Sequence, residues 1–292
     1  MKIGAIEGGG TKFVCAVGDE LGNIYKRVKF PTTTPAETLS QVIDFFKESP
    51  VDAIGYGTFG PVDLNPKSQM FGHILNTPKI DWVNFDVVSY LKNALQIDIY
   101  IDTDVNLACL GEIYFGDSKG LDNVLYITIG TGIGVGTFID GKIIHGVSHG
   151  ELGHILIRQN PLDHYTGKCP YHKTCLEGLA SGPAIEERYG VKGETLSDNH
   201  DVWKLIGSYV GEACVNYTYT FNPQRIILGG GAGQQPLLLK YTKENFLKIN
   251  NNYLTNKYIE DIDSYITIVS LKDDAGAKGC LAFAYLKHNK LM

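Results

Sequence analysis

Short apolar runs broken by glycine turns alternate with helical periodicities along the chain. Ile3–Ile6 is a buried-type strand, Phe13–Val17 a second, and a third lies around Ile24–Lys29 after the turn Asp19–Gly22. Pro35–Glu48 places Leu39, Val42, Ile43 and Phe46 on one face of a helix. Val51–Gly57 is a strand, Asn84–Leu95 a helix, Ile97–Ile101 a strand, and Asp102-Thr103-Asp104-Val105-Asn106 leads into a helix through Phe115. The pattern then restarts. Val124–Ile129, Val135–Ile139 and Lys142–Ile144 are strands, with a tight turn at Asp140-Gly141. Leu176–Tyr189 is a helix kinked at Gly182-Pro183, and 192–200 is a polar loop. Asp201–Tyr219 is a long helix with Val202, Leu205, Ile206, Tyr209, Val210, Ala213 and Tyr217 on one side. Arg225–Leu228 is a strand, Gln235–Ile249 a helix, Tyr265–Ser270 a strand and Ala275–His288 a closing helix expected to pack back on the first half. Strands and helices interleave, so the class is α/β.

Two glycine turns carry the first chemical signal. Glu7-Gly-Gly-Gly-Thr11-Lys12 joins the first two strands, and Gly130-Thr131-Gly132-Ile133-Gly134 joins the next pair. A shift of 122 residues lays Gly8 on Gly130 and Gly10 on Gly132. Backbone N–H groups and a hydroxyl in such a hairpin can face phosphate oxygens. Neither is a Walker loop, because that pattern opens a helix and here a strand follows. One glycine hairpin is weak; two, each opening one half of the chain, point to a duplicated unit that clamps phosphates between two halves. A third glycine run, Gly229-Gly230-Gly231-Ala-Gly233, follows a buried strand and permits close approach of a nucleoside.

A metal pattern lies between 151 and 177. Cys169, His172 and Cys175 share one regular spacing, and His154 precedes them by fourteen intervening residues. Two thiolates and two imidazoles form the tetrahedral set that zinc takes in structural sites. His145, His149 and His164 are rival donors. Glu151 and Glu177 flank the pattern, and a metal on His154 and Cys175 would hold both carboxylates where they can accept hydrogen bonds from sugar hydroxyls. Asp104, at a strand-to-helix junction, is placed to take a hydroxyl proton as general base; helix capping by Asp102 or Asp104 is the plainer alternative.

Composition narrows the class without adding chemistry. The chain has 292 residues, 43 % hydrophobic and 20 % charged, as in soluble globular proteins. The apolar runs are too short to span a membrane, and the immediate entry into a strand leaves no room for a signal peptide. Six cysteines, two in metal spacing, fit a reducing cytoplasm. A net charge of −6 without basic runs argues against nucleic acid.

Taken together, these segments resemble the ROK (repressor, open reading frame, kinase) sugar kinases, which have the actin-like ATPase, ribonuclease H-like fold. The resemblance covers nearly the whole chain, and the zinc signature is its most specific mark. Ile6-Glu7-Gly-Gly-Gly-Thr-Lys-Phe-Val-Cys and Phe59-Gly-Pro-Val-Asp are most similar to the bacterial fructokinases of the family. The resemblance implies two lobes with a cleft between them. One lobe is expected over 1–118, with 275–292 packed back on it; the other spans 119–274, with a zinc-binding insertion at 151–177. It implies ATP-dependent phosphorylation of D-fructose, Asp104 taking the proton of the primary hydroxyl. Asn76, Thr103, Glu151, His154 and Glu177 would hold the sugar, His154 doubling as a metal ligand beside Cys169, His172 and Cys175. Gly9, Gly10, Thr11, Lys12, Thr131 and Gly132 would surround the phosphates, and Gly230 and Gly231 the adenosine. Magnesium would arrive with ATP, and the protein would be a homodimer. Two departures stand out. Most of the family has Asp at the position of Glu7. Glucokinase-like members have Asn where this chain has Thr103, which favours fructose over glucose; another hexose (mannose, glucose or N-acetylmannosamine) is the alternative substrate. Family members that act as sugar-responsive repressors carry a DNA-binding segment ahead of the first glycine loop, for which Glu7 leaves no space.

Overall fold

The computed structural model describes residues 1–196 and 201–292, so the expected polar loop over 192–200 lies in part outside the described residues. These residues form two compact units. The first opens with β1 (Ile3–Gly8), β2 (Lys12–Gly18) and β3 (Ile24–Pro31), followed by α1 (Pro35–Glu48), β4 (Ala53–Thr58), α2 (Val87–Leu95), β5 (Asp98–Thr103) and α3 (Asp104–Phe115). The Thr34 side chain caps α1 by accepting from Glu37 N–H, with Pro35 pre-set in the first turn. The helix expected from Asn84 begins later, because Asn84 is left-handed and Asp86 caps the first turn by accepting from Ser89 N–H at 2.9 Å.

The second unit opens with β6 (Val124–Ile129) and β7 (Ile133–Ile139), and β8 (Lys142–Ile143) follows in sequence. Next come α4 (Leu176–Ala180), α5 (Gly182–Tyr189), α6 (Val202–Phe221), β9 (Arg225–Gly229), α7 (Gly230–Gly233) and α8 (Pro236–Asn250). Two short helical turns, α9 (Lys257–Glu260) and α10 (Ile262–Tyr265), precede β10 (Ile266–Ile268). The kinked helix expected over Leu176–Tyr189 is two helices: Ser181 is extended and ends the first, and Pro183 sits in the first turn of the second.

The sheet orders are β3-β2-β1-β4-β5 and β10-β9-β6-β7-β8. Read from its other edge, the second sheet repeats the first, with β6 in the place of β1 and β9 in the place of β4. In each, an antiparallel glycine hairpin, β1/β2 or β6/β7, is extended by parallel strands. The parallel strand β4 is buried along its whole length, as expected for a strand covered on both faces. Phe13, Leu39, Phe46, Tyr56 and Trp82 fill the first core, and Leu125, Ile127, Trp203, Tyr209 and Phe246 the second.

The unit boundaries differ from the division at 118/119. Leu121–Gly141 and 151–269 form the second unit, while 142–150 and 270–292 belong to the first. The first segment is held there by side chains that hydrophobic periodicity does not report: His145 meets Asp102, and Val62 N–H donates to His149 Nε2 at 3.1 Å. The second carries α11 (Ala275–His288), which packs on α3, β1 and β4.

Candidate active site

In the first unit the site is built at the end of β5. The Thr103 hydroxyl caps α3, accepting from Asn106 N–H at 3.2 Å. Capping therefore falls to Thr103, not to Asp102 or Asp104, and Asp104 is the first helical residue. One oxygen of Asp104 accepts from Val105 N–H at 2.9 Å. Its Cα lies so close to Gly57 that a Cβ there would approach to 3.2 Å. Thr103 is nearly buried, but with its oxygen used as an acceptor its hydroxyl proton remains to be donated. Asn76 is exposed on an irregular loop of the same unit.

The first glycine turn closes through Gly9 N–H donating to Lys12 O at 3.0 Å, while Thr32 Oγ donates to Gly9 O at 2.7 Å. Thr11 and Lys12 are exposed. A Cβ on Gly10 would meet nothing within 4 Å, and Gly10 is not left-handed. The protein's own packing therefore does not require glycine there. Gly231 behaves in the same way. Gly230, in contrast, is left-handed at φ 76°, and a Cβ would strike the Ile129 backbone at 2.5 Å, so its glycine serves the turn.

Glu7 precedes this turn on β1. Burial raises its carboxyl pKa, and the charges of Arg27 and Lys12 oppose the rise. Its longer side chain lodges over Gly276 of α11, where a Cβ would lie 2.6 Å from the carboxyl carbon. A side chain at 276 would therefore displace the Glu7 carboxyl.

In the second unit, His154, Cys169, His172 and Cys175 present one ligand atom each within 4.8 Å of one another. Cys169 Sγ lies 3.8 Å from His154 Nδ1 and 3.7 Å from His172 Nδ1, and Cys175 Sγ lies 3.5 Å from His154 Nδ1. Zinc bond lengths arranged tetrahedrally require sulfur and nitrogen ligands to be about 3.6 Å apart. The donor set therefore fits zinc in both chemistry and spacing. Each sulfur also accepts a backbone N–H, from His172 and Gly178 respectively, at 3.4 Å. Burial, helped by the neighbouring Cys169 and Glu177 and opposed by the Gly178 N–H bond, pushes the Cys175 thiol up to about 11; a coordinated cation reverses that preference. The rival donors do other work: His145 meets Asp102, His149 accepts from Val62, and His164 lines a separate cavity beside Asp163 and Tyr165.

The cluster adjoins the second glycine turn. With Nδ1 of His154 turned to the sulfurs, Nε2 faces Glu177 Oε1 at 3.9 Å. The other oxygen of Glu177 accepts from Ile133 N–H at 3.0 Å. That oxygen explains Gly132, where a Cβ would sit 2.7 Å from it. The Ile133 carbonyl lies against Gly153, the neighbour of His154, where a Cβ would approach to 1.7 Å. Gly182 N–H donates to Gly130 O at 2.8 Å. The turn Gly130–Ile133 is thus gripped from both sides by segments that carry metal ligands, leaving Thr131 exposed at its tip. The sequence pattern gave no sign that Glu177 reaches this turn, because the two are 44 residues apart.

The ROK family matches residues 3–287. A fructokinase of Pediococcus pentosaceus is 44 % identical over 97 % of this chain and 98 % of its own length. A fructokinase of Lactococcus lactis subsp. cremoris is 44 % identical over 94 % of this chain and 93 % of its own. A ROK hexokinase from Thermus thermophilus superposes with a TM-score of 0.74 at 27 % identity, covering 99 % of this chain and 100 % of that one. With a doubled glycine-hairpin sheet and a family match along almost its entire length, the chain belongs to the ROK family and has the actin-like ATPase fold.

Proposed function

We infer that the chain is an ATP-dependent fructokinase, converting MgATP and D-fructose to ADP and D-fructose 6-phosphate. The observation that carries this reading is an aspartate, Asp104, fixed as the first helical residue after β5 in a chain 44 % identical to fructokinases over nearly its full length. Asp104 takes the proton of the primary hydroxyl as that oxygen attacks the γ-phosphorus in line, and the γ-phosphoryl–ADP bond breaks. Asn76 and Thr103 offer donors to sugar oxygens, and Glu151 and Glu177 accept from hydroxyls. His154 keeps Nδ1 for the metal and Nε2 for the sugar, which reconciles its two roles. Gly9, Gly10, Thr11, Lys12, Thr131 and Gly132 would surround the phosphates, and Gly230 and Gly231 the adenosine. Magnesium bound with ATP supplies shielding of the phosphate charge. Zinc on His154, Cys169, His172 and Cys175 is structural, since four protein ligands leave no open position. A cytoplasmic homodimer acting on small molecules, without nucleic acid or membrane, completes the reading.

The test is ADP release with MgATP against fructose, mannose, glucose and N-acetylmannosamine, compared as kcat/KM. Fructose is expected well ahead; turnover with another sugar alone would overturn the substrate. In the same assay Asp104→Asn should keep sugar binding and lose turnover by roughly 10²- to 10⁴-fold. Near-normal turnover would remove Asp104 as the base.

A further inference from the structure

Asp102 lies two residues before the base and is 2 % exposed. Three donors meet its carboxylate. Thr103 N–H donates at 2.8 Å and Asn106 Nδ2 at 2.7 Å. His145 Nε2 lies 3.0 Å from Oδ2 and 3.2 Å from Oδ1. Thr103 and Asn106 bracket Asp104 on the first turn of α3, so the orientation of that turn is tied to Asp102. A carboxylate this deep needs a full set of donors or a counter-charge. Of the three donors, only the imidazole can carry a charge.

We propose that His145 is a positioning residue for phosphoryl transfer: by holding Asp102 it sets the first turn of α3 and so the aim of the Asp104 carboxylate. The proposal rests on Asp104 being the base. His145 lies in the segment Lys142–Gly150, which the first unit also holds through Val62 N–H donating to His149 Nε2. Two charged groups act on the ring. Asp102 on β5 favours the imidazolium, and Lys287 on α11 opposes it, as does burial; the Asp102 hydrogen bond is the largest of these effects and raises the pKa. A raised folded value means that the anchor is complete below the unfolded value of about 6.5 and is lost as pH climbs through the folded one.

The experiment measures kcat, and KM for fructose and ATP, from about pH 5.5 to about pH 9 for wild type, His145→Ala, His145→Gln and Asp104→Asn. His145→Ala should lower kcat by about 10- to 100-fold, with KM for ATP within about twofold, and should also lower the melting temperature, because it leaves the buried Asp102 carboxylate short of a donor. His145→Gln keeps a donor without the charge. It should recover most of kcat at alkaline pH, where wild type also has a neutral ring, but should remain below wild type on the acid side. A kcat for His145→Ala within twofold of wild type, beside an inactive Asp104→Asn, would overturn the positioning role and leave the base intact. A melting temperature restored in His145→Gln without recovery of kcat at alkaline pH would make His145 a support of the fold only, and would also overturn it. An active Asp104→Asn would remove the base itself, a failure distinguishable from the other two.

Discussion

Single side chains in this protein are placed by hydrogen-bond sets rather than by burial alone, and Asp163 is the clearest example. Its carboxylate is 6 % exposed and accepts from Tyr209 Oη at 2.6 Å, Arg188 Nη2 at 2.9 Å and Tyr165 N–H at 3.2 Å. The Arg188 guanidinium also lies over the Tyr165 ring, 4.1 Å from its centroid. Burial pushes the Asp163 carboxyl up, but the bonds from Tyr209 and Arg188 outweigh it, and the net pKa is lowered. A lowered folded value gives stability that is present above the unfolded pKa of about 4 and lost as pH falls through the folded one. Asp163→Ala should therefore cost about 3–5 kcal/mol near neutrality, because it leaves Arg188 unpaired. The gap to wild type should narrow on acidification below about pH 4. Denaturant midpoints at the two pH values check this, and a gap independent of pH would contradict it.

At the scale of elements, the segments carrying metal ligands and the second glycine turn behave as one piece. Cys175 caps α4, Glu177 on its first turn bonds Ile133 N–H, and the Leu152–His154 turn presses Gly153 on the Ile133 carbonyl. Loss of the metal is therefore expected to reach the nucleotide as well as the sugar. Cys169→Ser, or treatment with a chelator, should lower the melting temperature and raise KM for ATP several-fold, with zinc restoring the chelated wild type. Metal content by mass spectrometry and ADP-release titrations read both effects. A metal-free variant with native melting temperature and native KM for ATP would show that the turn holds itself.

Across the whole molecule, the last helix finishes what the first strands begin. Contacts of α11 with α3 and β4 pass through glycines. A Cβ at Gly279 would lie 1.6 Å from Leu107 O, one at Gly111 2.2 Å from Ala275 O, and one at Gly55 2.0 Å from Cys280 O. Backbone atoms cannot yield as a side-chain tip can, so Gly279→Ala should push α11 away from the helix that carries Asp104. The expected cost is about 3 kcal/mol or more, read as a fall in melting temperature with a parallel loss of turnover. A melting temperature within a degree or two of wild type would show that the helices separate freely.

The sequence by itself determined what depends on neighbours along the chain. Period-2 and period-3.6 patterning gave most strands and helices, and the glycine turns revealed the internal duplication that the two sheets repeat. Fixed short spacing gave Cys169, His172 and Cys175, because three ligands within seven residues share one loop. The family resemblance named His154 as the fourth ligand, and tertiary structure shows why the rival histidines do not join. His145, His149 and His154 are equivalent by composition, and only packing sends the first to Asp102, the second to Val62 and the third to the sulfurs. It also decided the partners of Asp102 and Glu177 and the return of 142–150 to the first unit. These are hydrogen bonds between residues tens of positions apart. Such bonds form only when whole elements have docked, and local periodicity records which face of an element is buried but not what lies across from it.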